Sequence, residues 1–322
     1  MNNFLYRIFL FFIPVIVFFI GCEIFVRNMP SEYRQKRDQL VANADSIEVL
    51  VLGASHAMDG VDPRQIALYT HNLAFGSQSI HYDRKLVEKY LPNLIKLKYV
   101  LISLEHNSLY YDHEVDRDFF YKYYYGIPYK NRKFYKESFL QSYFVYTPQL
   151  TLSMIGKSLN NKKKVESIKG WKNDSGRNDE VVSSVERNKI RANGFNKTAK
   201  TWKGGDSVLN DLNELINFLL SKEITPILIT YPTYSLFNSF IDTSIVERTR
   251  SVGNELSQRY KIPYMDFNDD DSFTIEYFFN CDHLNEQGAA KLSQKINEVI
   301  MNMEEKHINI EKNIVPLPPE SP

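Results

Sequence analysis

The chain has 322 residues with 39 basic and 39 acidic side chains, so its formal net charge is zero and no basic excess marks it as a general nucleic-acid binder. Charged residues at 24% and hydrophobic ones at 43% exclude wholesale disorder, and the length suffices for one large domain or two small ones. Two cysteines, Cys22 and Cys281, cannot supply a disulfide scaffold or a four-ligand zinc site.

Residues 8 to 22 form an unbroken apolar run, which Ile24, Phe25 and Val26 extend past Glu23. That length matches a membrane-spanning helix, and such a helix tolerates Pro14 inside it. Residues 1–27 therefore read as a transmembrane signal-anchor. Two other readings stay open: a cleaved signal, although no small-x-small site follows the run, and a lipoprotein, in which Phe19 fits poorly within Phe19-Ile20-Gly21-Cys22. Arg7 precedes the run, while Arg27, Arg34, Lys36 and Arg37 follow it, which by count favours a cytoplasmic domain. Large domains behind a signal-anchor are often translocated regardless, so the charge count leaves an extracytoplasmic domain open.

Residues 28–45 are polar and read as a short helical stalk. Ile47 to Leu52 looks like a buried parallel strand ending at Gly53. Asp62-Pro63 opens an expected helix, and Asn72 to Gly76 a short strand and turn. Leu86, Tyr90, Leu94 and Leu97 predict a helix over 83–97, followed by a strand at Tyr99 to Leu104. From about 110 to 205 the pattern breaks. Its first part is aromatic, from Phe119 to Tyr125 and then Tyr129, Phe134, Tyr135 and Phe139; its second part is polar and weakly periodic, and the whole reads as a partly mobile insertion over the sheet edge. Leu209, Leu212, Leu215 and Leu219 predict a helix over 208–220. Strands at 226–230 and 262–266 follow, with a helix at 242–260 between them and a last helix over 286–301. The domain thus spans 46–302, and 303–322 forms a tail whose Pro-rich end at 315–322 is expected to be disordered. Alternating strands and helices predict an α/β domain with a mainly parallel sheet and ligands at the carboxyl ends of its strands.

Two groups stand at such ends. Gly53-Ala54-Ser55-His56 follows the first strand and exposes a hydroxyl at a sharp turn, although Ala57 breaks the G-x-S-x-G elbow; an ordinary helix-capping serine fits the same residues. Asn280-Cys281-Asp282-His283 enters the last helix and offers a base that could take the Ser55 proton, or simply a surface histidine. His56 reads as a packing neighbour of Ser55 and Cys281 as a small filler rather than a thiol nucleophile. His71, His81, His106 and His113 lack partners at metal-ligand spacing, so no metal or other cofactor is expected. Asp269-Asp270-Asp271 resembles a calcium loop only loosely and reads as a solvated acidic turn. Lys162-Lys163-Lys164 reads as an exposed loop that could touch anionic lipid.

These blocks together resemble the SGNH (GDSL-like) hydrolase superfamily, and within it the membrane-anchored branch with alginate O-acetyltransferase-like proteins and the teichoic-acid D-alanylation accessory protein. The resemblance covers about 46–299 outside the insertion. It implies a three-layer SGNH/flavodoxin-like fold and a large domain outside the cytoplasm, with Ser55 as nucleophile and His283 as base. It also implies the Gly76 amide, in Asn72 to Ser77, and the Asn107 side chain, in Glu105 to Ser108, as oxyanion donors. Glu105 and Ser108 depart from the G-x-N-D block, and Asn280 stands where the triad acid belongs. Asp282 is the expected substitute acid if the loop curls back, with Asn280 as an orienting group. The activity implied is serine acyl transfer to water or to a sugar hydroxyl of an extracytoplasmic polysaccharide or cell-wall polymer, with a multispanning membrane O-acyltransferase as acyl supplier. A scaffold or glycan-binding partner without turnover is the alternative. The aromatic stretch 119–146 suits either a carbohydrate platform, with Tyr123 and Tyr125, or a packed lid or docking surface.

Overall fold

The computed structural model describes residues 2–28, 31–111, 115–128, 167–171 and 176–314. The chain divides into two compact units, 1–38 with 114–166 and 39–113 with 167–322. The positions of the expectations for Tyr129, Phe134, Tyr135 and Phe139, for His113, for Lys162 to Lys164 and for 315–322 lie outside the described residues.

In the first unit, helix α1 (Asn2–Asn28) carries a 20-residue apolar stretch, Tyr6–Phe25, long and apolar enough to cross a membrane. Its large apolar side chains, such as Phe4, Phe11, Val17 and Phe18, are exposed on every side, as in a helix made for an apolar solvent rather than for one protein face. The expected stalk is helix α2 (Glu32–Ala42). It is not a bare spacer, because Tyr33 is buried: its ring stacks on Phe120 at 4.5 Å and meets Tyr121 edge-on at 5.7 Å. Those partners belong to α5 (Val115–Tyr125). Tyr125 donates its hydroxyl to the Tyr33 carbonyl at 2.9 Å, and Arg37 Nη1 reaches the Tyr124 carbonyl at 3.2 Å. Tyr121, Tyr124 and Tyr125 are buried, so over this part the aromatic stretch is core and Tyr125 is closed to a sugar ring.

In the second unit, a five-stranded sheet is parallel throughout, in the order β2-β1-β3-β4-β5. The strands are β1 (Val49–Leu52), β2 (Thr70–Asn72), β3 (Tyr99–Ser103), β4 (Thr225–Thr230) and β5 (Tyr264–Asp266). Both faces of the central strands are buried, as parallel sheets require. Val49, Val51, Leu101, Ile227 and Ile229 form one face and pack with Leu292, Ile296 and Ile300 of the last helix, α11 (Glu286–Ile314), at that helix's i, i+4, i+8 spacing. The chain steps from β1 outward to β2, then back across to β3. This reversal opens a crevice at the carboxyl ends of β1 and β3, where ligands of such sheets bind.

Several boundaries shift from the sequence expectation. The helix expected at Asp62-Pro63 is a single 3-10 turn, Pro63–Gln65, because the chain must return at once to β2; the Asp62 carboxylate caps the Arg64 N–H at 2.9 Å. The helix expected over 83–97 is α4 (Ile80–Tyr90), stopped where Pro92 removes a donor. The polar part of the insertion contains α6 (Asp179–Ser183) and α7 (Val185–Thr201), capped by the Asn178 and Ser184 side chains. Its periodicity was masked because its buried face mixes Ala192 and Phe195 with Asn188 and Asn196, whose amides bond the Val182 and Phe240 carbonyls. The expected helix over 208–220 is α8 (Ser207–Leu220), followed after β4 by the short α9 (Ser235–Asn238). Helix α10 (Thr243–Tyr260) matches its expected segment, while α11 runs well past residue 301.

Candidate active site

Ser55 opens the short helix α3 (Ser55–Gly60) directly after β1. Gly53 makes this turn possible. Its φ of +128° suits glycine alone, and a Cβ there would lie 1.9 Å from Ser103 Oγ on β3. Asn72, at the end of β2, ties the turn down: its Nδ2 donates to the Ala57 and Val61 carbonyls at 2.9 and 3.0 Å, and its Oδ1 accepts the Ala74 N–H.

The candidate base, His283, arrives from the loop before α11. Phe278 and Leu284 pair as an isolated antiparallel bridge, and Phe279 N–H donates to the His283 carbonyl at 2.9 Å, so the intervening residues curl into a tight loop. Asn280 Oδ1 closes that loop by accepting the N–H groups of Asp282 and His283 at 3.0 and 2.9 Å. His283 Nε2 thereby stands 2.8 Å from Ser55 Oγ, hydrogen-bond reach for a nucleophile and its base.

Behind the ring, His283 Nδ1 is 3.1 Å from both Asn280 Oδ1 and Asp282 Oδ1. The two backbone donors identify the Asn280 atom as its oxygen, so both groups behind the ring are acceptors. They place the proton on Nδ1 and leave the Nε2 lone pair facing the serine hydroxyl. Asn280 thus lies where an orienting group would stand, and the curl brings the Asp282 carboxylate to the same distance. Burial alone would favour neutral Asp282, but the His283 and His56 rings hold its carboxyl well below the usual carboxylate range. Arg191 of α7 adds Nε and Nη2 donors to Asp282 Oδ2, each at 2.7 Å.

His56 and Glu105 go beyond their expected roles. Both are buried, and His56 Nδ1 bonds Glu105 Oε2 while His56 Nε2 faces Asp282 Oδ2 at an ion-pair distance of 3.4 Å. The His56 ring lies 4.6 Å from the His283 ring. Burial by itself would strip His56 of its proton; the Glu105 and Asp282 carboxylates outweigh it and push the ring up to about 10. Their places past the ends of β3 and β1 were visible in the sequence, but only the strand order, with β1 beside β3, brings the acid and the imidazole together. Arg191 left no such signal, because its helix lies in the polar stretch.

The expected oxyanion donors sit at the same sheet edge. Gly76 lies in the turn closed by the Gln78 N–H to Phe75 carbonyl bond, and Phe75 N–H donates to the Gly53 carbonyl at 3.2 Å. Asn107 lies in the turn after β3, where Ser108 N–H donates to the Glu105 carbonyl at 3.0 Å. Their donor roles remain proposals. Burial pushes the Cys281 thiol up to about 12, which disfavours a thiolate nucleophile. His56, Asp282 and His283 present three ligand-type atoms within 4.8 Å of one another. In the acidic turn, Asp269 pairs with Arg250 at 2.8 Å and Asp270 with Lys295 at 3.0 Å.

No family model matches the sequence, and no curated protein does. Among solved structures, a Bacteroides fragilis NCTC 9343 protein described as a “putative acylhydrolase” is similar over 86% of this chain and 99% of its own, with 11% identity and a TM-score of 0.40. At that similarity nothing about the reaction is read from it.

Proposed function

We propose that this chain is a membrane-anchored serine acyltransferase or esterase of SGNH type, its large domain outside the cytoplasm and its acceptor a hydroxyl of a cell-envelope polysaccharide or water. The observation that carries the reading is the serine–histidine–carboxylate line at the β1/β3 crevice: Ser55 Oγ, His283 Nε2 and, behind Nδ1, Asp282 Oδ1. Ser55 oxygen attacks an ester carbonyl carbon as its proton passes to His283 Nε2. The tetrahedral oxyanion takes hydrogen bonds from the Ser55 and Gly76 amides and the Asn107 side chain, the interaction that usually contributes most to such a step. Collapse breaks the donor's C–O bond, and His283 returns the proton to the leaving oxygen. An acceptor hydroxyl or water then gives its proton to His283, attacks the acyl-serine and releases Ser55.

The anchor supports the envelope assignment, with an O-acyltransferase of several spans as acyl supplier. A non-enzymatic scaffold drew its support from Asn280; Asp282 at an equal distance weakens that support. The test is active-site labelling of the full-length protein in detergent by a fluorophosphonate, with turnover of a chromogenic acetyl ester. Labelling and turnover are expected in the wild type and neither in Ser55→Ala. Equal signals in both proteins would remove Ser55 from the chemistry. Acetyl transfer to an added oligosaccharide in preference to hydrolysis would select the transferase over the esterase.

A further inference from the structure

The serine mechanism uses Ser55, His283 and Asp282, and leaves a buried cation and a buried anion beside it without a task. His56 and Glu105 are both nearly inaccessible; His56 lies four residues beyond the end of β1 and Glu105 two beyond the end of β3. Burying two ionisable groups is costly unless they meet opposite charge, and burying three in a row demands that the charges alternate. Here they do: Glu105 carboxylate, His56 ring, Asp282 carboxylate.

We propose that His56 is a standing imidazolium clamped between Glu105 and Asp282, and that it is a positioning residue holding the Asp282 carboxylate in place behind His283. The proposal rests on the serine acyl-transfer reading and deepens it. Asp282 divides its two oxygens between two tasks. Oδ1 faces His283 Nδ1 at 3.1 Å and accepts the Cys281 thiol at 3.6 Å, whereas Oδ2 faces His56 Nε2 at 3.4 Å and takes both Arg191 donors. Two cations on Oδ2 therefore set the rotation of the carboxyl group that presents Oδ1 to the base. One of them, Arg191, is half exposed; the other is sealed inside and cannot swing away. Glu105 is the counter-anchor: with Asp282 it offsets the burial that would otherwise strip a proton from the His56 ring. The groups facing His56 are Glu105 and His106 from the loop after β3, and Asp282 and His283 from the loop before α11. Arg191 stands behind Asp282, and Asp83 of α4 acts on Glu105.

The experiment compares full-length wild type, His56→Gln, Glu105→Gln and the double variant in detergent. It measures the Ser55 fluorophosphonate labelling rate, the thermal midpoint and, on protein with ¹⁵N-labelled histidine, the protonation of each ring nitrogen. The His56 ring should show both nitrogens protonated in wild type at pH 7, with labelling falling away as pH approaches about 10. In Glu105→Gln that alkaline limb should move down by about one unit or more. Labelling should drop about 10- to 100-fold in His56→Gln, the usual effect of removing a group that orients an active ligand. The decisive protein is the double variant. Removing cation and anion together should restore much of the lost thermal midpoint, but labelling should stay low because Asp282 still lacks its clamp. Labelling that recovers along with stability would reduce His56 to a structural role and overturn the proposal, as would a singly protonated His56 ring in wild type. Wild type that fails to label at all overturns the acyl-transfer reading and the positioning role with it, whereas undiminished labelling in His56→Gln overturns the positioning role alone.

Discussion

Opposite ends of one sheet carry the same charge pattern with different physics. At the amino end, Lys98 stands between Glu304 at 2.7 Å and Glu48 at 3.4 Å, with Tyr99 donating its hydroxyl to Glu304. At the carboxyl end, His56 stands between Glu105 and Asp282. Lys98 is 45% exposed, while His56 and its two carboxylates are at most 5% exposed. Water and salt screen the first group, so its geometry is cheap to make and cheap to lose. The second has given up its hydration and depends on its partners entirely. A cation between two anions is therefore surface decoration at one end and a fixed part of the site at the other.

The comparison can be broken in several ways, the largest effect first. Ser55→Ala should lower acyl transfer at least about 10³-fold with an unchanged thermal midpoint, since the hydroxyl is the reacting group and its loss leaves the fold alone. Asp282→Asn should cost nearly as much, on the order of 10³-fold in labelling rate, while Asn280→Ala costs about tenfold. The reverse ranking would make Asn280 the essential partner of His283. In stability, His56→Gln should lose about 3 kcal/mol by chemical denaturation because it strands Glu105, whereas Lys98→Met should lose under about 1 kcal/mol, a loss that added salt shrinks further. Equal losses would erase the contrast between the two ends.

A pH series sharpens it. The folded state holds the His56 proton up to about 10, against an unfolded value of 6.5, so this group's stabilisation is complete below pH 6.5 and is lost as pH rises through about 10. Wild type should accordingly lose its advantage over His56→Gln between those values, while its advantage over Lys98→Met, whose group is raised from an already alkaline value, stays level there. Asp282, held low by its neighbours, contributes stability that is present above the ordinary carboxylate range and lost only as pH falls well below it. Unfolding midpoints for the three proteins across pH 6 to 11 check the first statement, and an acid series of wild type against Asp282→Asn checks the second.

The fold was largely legible because its signals are local. Apolar runs of strand length at Val49–Leu52, Tyr99–Ser103 and Thr225–Thr230, and leucines at helical spacing over Ser207–Leu220, announce buried strands and a helix by composition alone. Helix α7 escaped because buried amides replaced part of its apolar stripe. The aromatic stretch left a sugar platform and a packed lid or docking surface both open, because aromatic composition does not say which way a ring points; in the structure Phe120 and Tyr121 pack on Tyr33.

Within the site, Ser55 and His283 were readable from their places at strand and helix ends, and the 2.8 Å contact joins residues more than two hundred positions apart. The sequence by itself determined the apolar N-terminal helix, the parallel α/β sheet and the two ends of the candidate reaction line. Tertiary structure alone decided that Asp282 turns behind His283, that Arg191 reaches it from a polar helix, and that Glu105 and His56 meet in a buried pair. Strand order and loop curvature bring those charges together, and a charge buried away from water is defined by the partners around it rather than by its neighbours in the chain.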